Sequence, residues 1–483
     1  MNPPSALGDF QQAATILVPE FILLFVAMAI MTASAFISRP RRFWCVISAG
    51  ALVAALVALL SLQDRQTGMY SAVALNDDFS FFARLVLLLA AFVLLALAHR
   101  EPADERAGEF FGALLIVNAG AMLVAVANEI VFLFVGLELV SIPTYLLLYL
   151  SRRNRSTQEA ATKYFFLSIF ASALLLFGLT FLYGSIGISN LKAIGFLYER
   201  LANVPQVDIG VIAIVFVMAG LCFRVAAVPL HFYAPDVYQG SPLAITAMLA
   251  WIPKAVGFLA ILRTLTAVLA GRNADDAVMQ QAVILTWVIA AVTMIWGNFV
   301  ALLQENLKRL LAYSSIAHAG YMMVGVTAAF CGESHGGGVY YGSESVLFYL
   351  VSYALMTLGV FGVFSALRIN GRVVESVDEL SGLGTTQPLA ALALAICLLS
   401  LSGIPPLVGF WGKFEIFSSL LAAAQRGQSL SLVALGVIGM LSAAAGAYYY
   451  LRIVVAMYLR PSREDVTLGG GWPVPGYHLE ASK

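Results

Sequence analysis

Residues 243–270 read LAITAMLAWIPKAVGFLAILRTLTAVLA, an apolar run interrupted only by the charges of Lys254 and Arg263. About 20 residues of α-helix cross the hydrocarbon core of a bilayer, so this stretch is more than long enough to span one. Working outward, comparable stretches lie at 13–37, 43–63, 79–98, 108–127, 129–150, 163–186, 208–228, 279–303, 310–330, 344–368, 388–424 and 430–459, which gives thirteen expected crossings. The stretch 388–424 is too long for one straight crossing and contains Pro405 and Pro406, so it reads as one broken helix. The segment ending at Val228 likewise runs on past Pro229, where a ring without an N–H breaks the helix. The expected fold is all-α, a polytopic membrane protein.

Composition agrees. Of 483 residues, 61% are hydrophobic and only 11% charged, against about 25% charged in soluble domains, so lipid is the main solvent. The 27 basic and 27 acidic side chains balance, which argues against nucleic acid as a partner. Cys45, Cys222, Cys331 and Cys397 have no paired spacing, so the sequence carries no signature of a disulfide framework, a zinc site or an iron–sulfur cluster, and no cofactor is expected in this chain. No gap between crossings exceeds about 21 residues, and the 23 after Arg460 are too few for a domain with its own core, so function is expected inside the membrane. The first basic residue is Arg39, so no positive region of a cleavable signal peptide precedes the first crossing. Glycine clusters at 336–338 and 469–471 match no nucleotide or phosphate loop and read as turns.

Lysine and arginine are retained in cytoplasmic loops. With the N-terminus outside, inner loops hold fifteen basic residues, among them Arg152, Arg153, Lys308 and Arg309, and outer loops hold five, Arg65, Lys192, Arg200, Arg272 and Arg426. The C-terminus then lies in the cytoplasm.

Charges inside crossings decide the rest, because each costs roughly 2.5–3.5 kcal/mol at mid-membrane even on a lenient scale. Glu138 sits mid-span five residues before Pro143, whose missing N–H frees the carbonyl of Leu139 beside the carboxylate. It marks a functional site or pins a neighbouring helix. Lys254 follows Pro253; a lysine taken out of water loses its proton readily, so such a group titrates near neutral pH. Lys413 lies on the second half of the broken helix, and Glu415, about 200° around that helix, cannot neutralise it. For both lysines the plainer alternative is a snorkelling stem. The guanidinium of Arg224 stays charged, so it biases a neighbour but relays no proton. His318 either passes protons or bridges helices by hydrogen bonds, and His231 reads as a helix-end hydrogen-bonding residue. Glu20 and Arg84 read as local packing or interface charges outside the path; Glu129, Arg263, Glu344, Glu415 and Arg452 read as side chains snorkelling to the interface.

The broken helices near Pro229 and Pro405 are five crossings apart, and an odd offset inverts orientation, the mark of an inverted repeat. The expected division is 1–107 as N-terminal transmembrane helices, 108–270 as a first five-helix unit, 271–460 as its inverted counterpart and 461–483 as a polar cytoplasmic tail.

The stretches Gly136–Leu146, Arg224–Pro242, Ile252–Phe258, Asn306–Gly325, Gly403–Phe414 and Ala447–Arg452 carry a resemblance to the antiporter-like membrane subunits of respiratory complex I, the proton-pumping NADH-quinone oxidoreductase. The family's longest member adds a lateral helix, for which this chain has no residues, and its member of intermediate length typically has Glu where Lys413 stands; the resemblance narrows to a member with neither feature. It implies that Glu138 pairs with the cation at 224, that Lys254 is the channel centre, that Lys413 serves the exit side and that His318 links them. It implies as partners the other membrane subunits of complex I, neighbouring antiporter-like and small ones, within the lipid bilayer. Two departures stand out: the family usually has lysine where Arg224 lies, which makes Arg224 a permanent countercharge, and it usually has a fourteenth crossing, whereas residues after 460 are polar. Three functions follow: proton translocation driven by NADH-to-quinone electron transfer elsewhere, a subunit of a multi-component cation/proton antiporter or membrane-bound hydrogenase, and a passive scaffold.

Overall fold

The computed structural model describes residues 6–63, 73–151, 155–194, 209–269, 277–332, 342–369, 372–427, 429–461 and 466–468. Helices α1 (Ala6–Ile16), α2 (Val18–Phe36), α3 (Arg41–Leu60) and α4 (Asp78–Ala98) come first. Then follow α5 (Ala107–Val126), α6 (Ile130–Ser151), α7 (Arg155–Ile186), α8 (Ile209–Val225), α9 (Ala234–Gly240) and α10 (Leu243–Leu269). The remainder comprises α11 (Ala277–Leu302), α12 (Leu307–Gly332), α13 (Gly342–Ala366), α14 (Leu383–Thr386), α15 (Pro388–Ser402), α16 (Val408–Gly427) and α17 (Leu430–Leu459). Among the described residues 11 helices are long and apolar enough to cross a membrane, and α8 and α15 are shorter apolar ones. Reaching thirteen requires counting α8 and the α15–α16 pair as crossings. Helix α7 starts at Arg155 rather than 163, because its charged first turns stay helical.

Both expected breaks are present. Helix α8 stops at Val225 and the chain resumes helix at Ala234; α15 stops at Ser402, where Gly403 takes a left-handed φ of 87°, and α16 begins at Val408. Proline explains each gap, since it supplies no N–H to a preceding carbonyl and pushes the residue before it out of the helical region. A third break was not foreseen: Leu17 separates α1 from α2, with Pro19 in the first turn of α2.

Helix α10 is the axle of the fold, with all of its most apolar window buried, while α2, α3, α7 and α17 bury only about a third of theirs. The outward residues of those peripheral helices, Phe25, Val46, Phe166 and Leu441 among them, are large and apolar. A soluble monomer rarely shows so much contiguous apolar surface; a membrane-spanning chain turns such a face to lipid or to neighbouring membrane subunits.

Several sequence expectations need correction. Arg263 does not snorkel: it makes a two-pronged bridge to Asp77 (2.7 and 2.8 Å), donates to Ala125 O and stacks 4.5 Å over Phe79. The bridge joins the start of α4, which Asp77 caps through Ser80, to the end of α5 and to α10. Burial alone would raise the carboxyl of Asp77, but hydrogen bonds and charge from Arg263, with help from Ser80, outweigh it and hold it well below the usual carboxylate range. Arg452 caps α11, donating to the carbonyls of Leu302 and Gln304. For Glu20 and Arg84 the packing alternative holds: wholly buried, they pair at 2.7 Å between α2 and α4. Part of the expected polar tail is structured: β3 (Val466–Leu468) pairs antiparallel with β1 (Leu367–Ile369), whose other edge takes β2 (Arg372–Val373). Arg65, Arg152, Arg153, Arg200 and Arg272, the glycine clusters at 336–338 and 469–471, and the tail after 468 lie outside the described residues.

Candidate functional site

Glu138 projects from α6 toward the last turn of α8, where Arg224 donates to its Oε1 at 2.8 Å. Ser172 of α7 donates to the same oxygen at 2.6 Å. The guanidinium also reaches the Leu137 carbonyl at 3.0 Å and the Ser141 hydroxyl, so the pair is embedded in a polar shell from three helices. Helix α6 runs without a break past Pro143; Ser141 and Thr144 bond back to the carbonyls of Leu137 and Val140 beside the proline. The pair implied by the resemblance is thus formed, and inside a membrane crossing each charge keeps its partners because losing one would leave the other uncompensated.

One residue along, the Val225 carbonyl ends α8. Lys254 Nζ donates to it at 3.0 Å and to the Ser315 carbonyl of α12 at 2.6 Å. Among the described residues no carboxylate pairs with Lys254, whose buried amine sits at the negative end of a broken helix. Gly257, one turn on, makes this approach feasible, because a Cβ there would lie 2.5 Å from Val225. Lys413 repeats the arrangement at the other break, donating to the last carbonyls of α15, Leu401 O at 3.0 Å and Ser402 O at 2.9 Å. Gly403 is required twice over, for its positive φ and because a Cβ would sit 3.2 Å from Lys413 Nζ. Neither lysine snorkels.

Helix α12 bridges the two lysines. Ser315, His318 and Tyr321 stand three residues apart and so share a face. Ser315 receives Lys254; the Tyr321 ring lies 5.1 Å from Lys413 Nζ and 5.8 Å from the His318 ring. His318 is within electrostatic reach of both lysines. Its Nδ1 meets Tyr349 OH at 2.6 Å and its Nε2 meets Tyr450 OH at 2.9 Å, with Ser314 beyond Tyr450. A neutral imidazole has one donor and one acceptor nitrogen, so one tyrosine donates while the other accepts, and a proton crossing the ring reverses the wire. Tyr353 and Tyr238 both reach the Ser315 hydroxyl, at 2.9 and 3.2 Å. These tyrosines and serines were missed in the sequence, where a tyrosine on an apolar helix looks like core; the signal was the three-residue spacing in Ser314-Ser315-Ile316-Ala317-His318-Ala319-Gly320-Tyr321. His231 stays apart, its ring 6.0 Å from Trp296 at the α8–α9 break.

A predominantly helical, multi-pass membrane protein with these two broken helices and with the ionisable side chains of Glu138, Arg224, Lys254, His318 and Lys413 inside its crossings has the fold of an antiporter-like membrane subunit. Residues 127–441 match the family described as NADH:quinone oxidoreductase/Mrp antiporter, TM. The chain is 35% identical to NADH-quinone oxidoreductase subunit N of Trichlorobacter lovleyi over 93% of its own length and 88% of the relative's. It is 37% identical to subunit N of Paramagnetospirillum magneticum, over 91% and 87% of the two chains. A chain of respiratory complex I from Thermus thermophilus superposes with a TM-score of 0.73 at 30% identity, covering 93% of this chain and 92% of that one. Chains of the Mrp complex from Dietzia (TM-score 0.75, 21% identity, 93% and 80% covered) and of an archaeal membrane-bound sulfane sulfur reductase (0.76, 23%, 95% and 91%) share the fold. The chain belongs to this NADH:quinone oxidoreductase/Mrp antiporter membrane family and, within it, to the NADH-quinone oxidoreductase subunit N group.

Proposed function

We propose that this chain is a membrane-arm subunit of a bacterial NADH-quinone oxidoreductase that translocates protons, driven by electron transfer from NADH to quinone in other subunits. The observation that carries it is the pair of buried lysines, Lys254 and Lys413, each seated on the carbonyls that end a broken helix and joined through the His318 face of α12. A lysine held by carbonyls alone has no fixed countercharge, so its hold on a proton follows the charges around it. Unit charges 4 Å apart interact by about 4 kcal/mol at an effective dielectric of 20, or roughly three pK units, enough to load and unload a proton. Glu138 is the movable countercharge, Arg224 the fixed one and His318 the carrier between the lysines. Partners are the other membrane subunits of that complex, the neighbouring antiporter-like and small ones, and the bilayer.

Residues 108–270 and 271–460 read as two inverted five-helix units. In support, each contains one broken helix with a lysine on its terminal carbonyls, and the first two helices of each approach through glycines, Gly120 and Gly136 in one, Gly297 and Gly320 in the other. The excess of basic residues in alternate loops supports a topology with the N-terminus outside the plasma membrane and, with thirteen crossings, the C-terminus in the cytoplasm.

The second reading, a cation/proton antiporter or membrane-bound hydrogenase subunit, draws on the shared fold of the Mrp and sulfane sulfur reductase chains. The higher identity to subunit N relatives favours the first. The experiment is Lys254→Ala in the assembled complex, reconstituted in vesicles. Expected is normal assembly with NADH-driven acidification reduced or abolished; normal pumping defeats the proposal and leaves a scaffold, and sodium-sensitive growth with intact NADH oxidation supports the antiporter.

A further inference from the structure

Two apolar grooves run side by side along the first turns of α11, at the membrane face where α8 and α11 begin and α16 ends. One, about 290 Å³, lies between α11, the end of α12 and the α16–α17 junction, with Met279, Val283, Phe330 and Leu432 in its walls. The other, about 200 Å³, lies between α11 and α8, walled by Val211, Val215, Leu285 and Val288. Ile284 borders both, so its exposed side chain is the ridge that separates them. Polar groups cluster at one end. Gln280 lines the first groove, Gln281 the second, and Arg426, in the last turn of α16, stands at the mouth of the first. Among the described residues no carboxylate pairs with Arg426. Trp287 donates to the Ser431 carbonyl at 2.8 Å on the same side, where an amphipathic ring marks the boundary between lipid and water.

Two parallel apolar channels that share a ridge, with amides at the top of each and a cation beside them, match the shape of a molecule with two hydrocarbon chains on one anionic head. We propose that this surface is a binding site for a single diacyl glycerophospholipid. Its chains lie on either side of Ile284, its ester carbonyls accept from Gln280 and Gln281, and its phosphate pairs with Arg426. The site lies apart from the charge row and is independent of the direction in which protons move. Charge complementarity selects the phospholipid over a neutral lipid, and the two-channel shape selects it over a single-chain amphiphile.

The test uses the assembled complex in vesicles containing a phosphatidylglycerol with a photoactivatable diazirine in one acyl chain. Expected are adducts concentrated on residues 211–215 and 278–288, reduced by an excess of unlabelled diacyl phosphatidylglycerol far more than by its single-chain lyso form. Arg426→Gln, remote from the charge row, should cut the yield about fivefold with NADH oxidation unchanged, the factor that one cation contributes near an anionic head. Ile284→Trp, which fills both channels, should reduce it further. Adducts spread evenly over the exposed faces of α2, α7 and α17, equal yield in both variants, or protection of these residues by a neighbouring subunit would each overturn the proposal.

Discussion

Arg224 carries the most information per atom. Its guanidinium satisfies the Glu138 carboxylate, the Leu137 carbonyl and the Ser141 hydroxyl of α6 and reaches Ser172 of α7, so from its place on α8 it acts as a fixed charge that also holds three helices. Arg224→Lys keeps the charge but loses the fork; pumping in vesicles is expected to persist with a modest fall in rate. Arg224→Ala strands Glu138 with only Ser172. Breaking a buried pair costs about 3–5 kcal/mol, and the partial exposure of Glu138 puts the expected loss at the low end. Both pumping and the melting temperature should drop, and an Ala variant that pumps normally would remove Arg224 from the mechanism. Glu138, Arg224, Lys254 and Lys413 were legible in the sequence because a charge amid apolar residues needs a reason. Tyr349, Tyr353 and Tyr450 were not, since only the fold turns their hydroxyls toward His318 and Ser315.

At the scale of elements, the broken helix is the unit that seats each buried lysine. A helix that ends inside the membrane leaves carbonyls without N–H partners, and lipid offers no water to satisfy them. Lys254 and Lys413 occupy those carbonyls, so helix geometry and lysine charge are one device. Gly403→Ala tests the link: the positive φ costs about 1–2 kcal/mol, and the new methyl presses on Lys413. The expected outcome is an assembled complex with a lower proton yield per NADH oxidised. A yield equal to wild type would show that the seat of Lys413 tolerates displacement. Gly257→Val should act likewise at the first break by pushing α10 from α8.

Across the whole molecule, two ion pairs tie the N-terminal helices together and to α10: Glu20 with Arg84, and Asp77 with Arg263. Asp77 sits at the end of a helix, outside the membrane core, and its folded carboxyl is held below the ordinary value near 3.9. Its contribution to stability is therefore complete above that ordinary value and is lost as pH falls through the lower folded one. Asp77→Asn should lower the melting temperature of the purified complex by a margin that is constant from about pH 8 to pH 5 and closes only in stronger acid. A margin that already shrinks between those values would contradict the bridge. Because α10 also carries Lys254, the same variant is expected to lower pumping through misplacement rather than through lost chemistry.

The sequence by itself determined the membrane class, the approximate place of the long apolar helices, the two proline breaks and the charges of the row. Apolar length, missing N–H groups and the cost of a buried charge are local properties, written residue by residue. Tertiary structure decided what those charges meet: Lys254 and Lys413 on helix-end carbonyls rather than acids, Arg263 on Asp77, Arg84 on Glu20, and His318 between two tyrosines. Those partners come from helices far apart in the chain, and periodicity along one helix says which residues share a face but not which neighbour that face will touch.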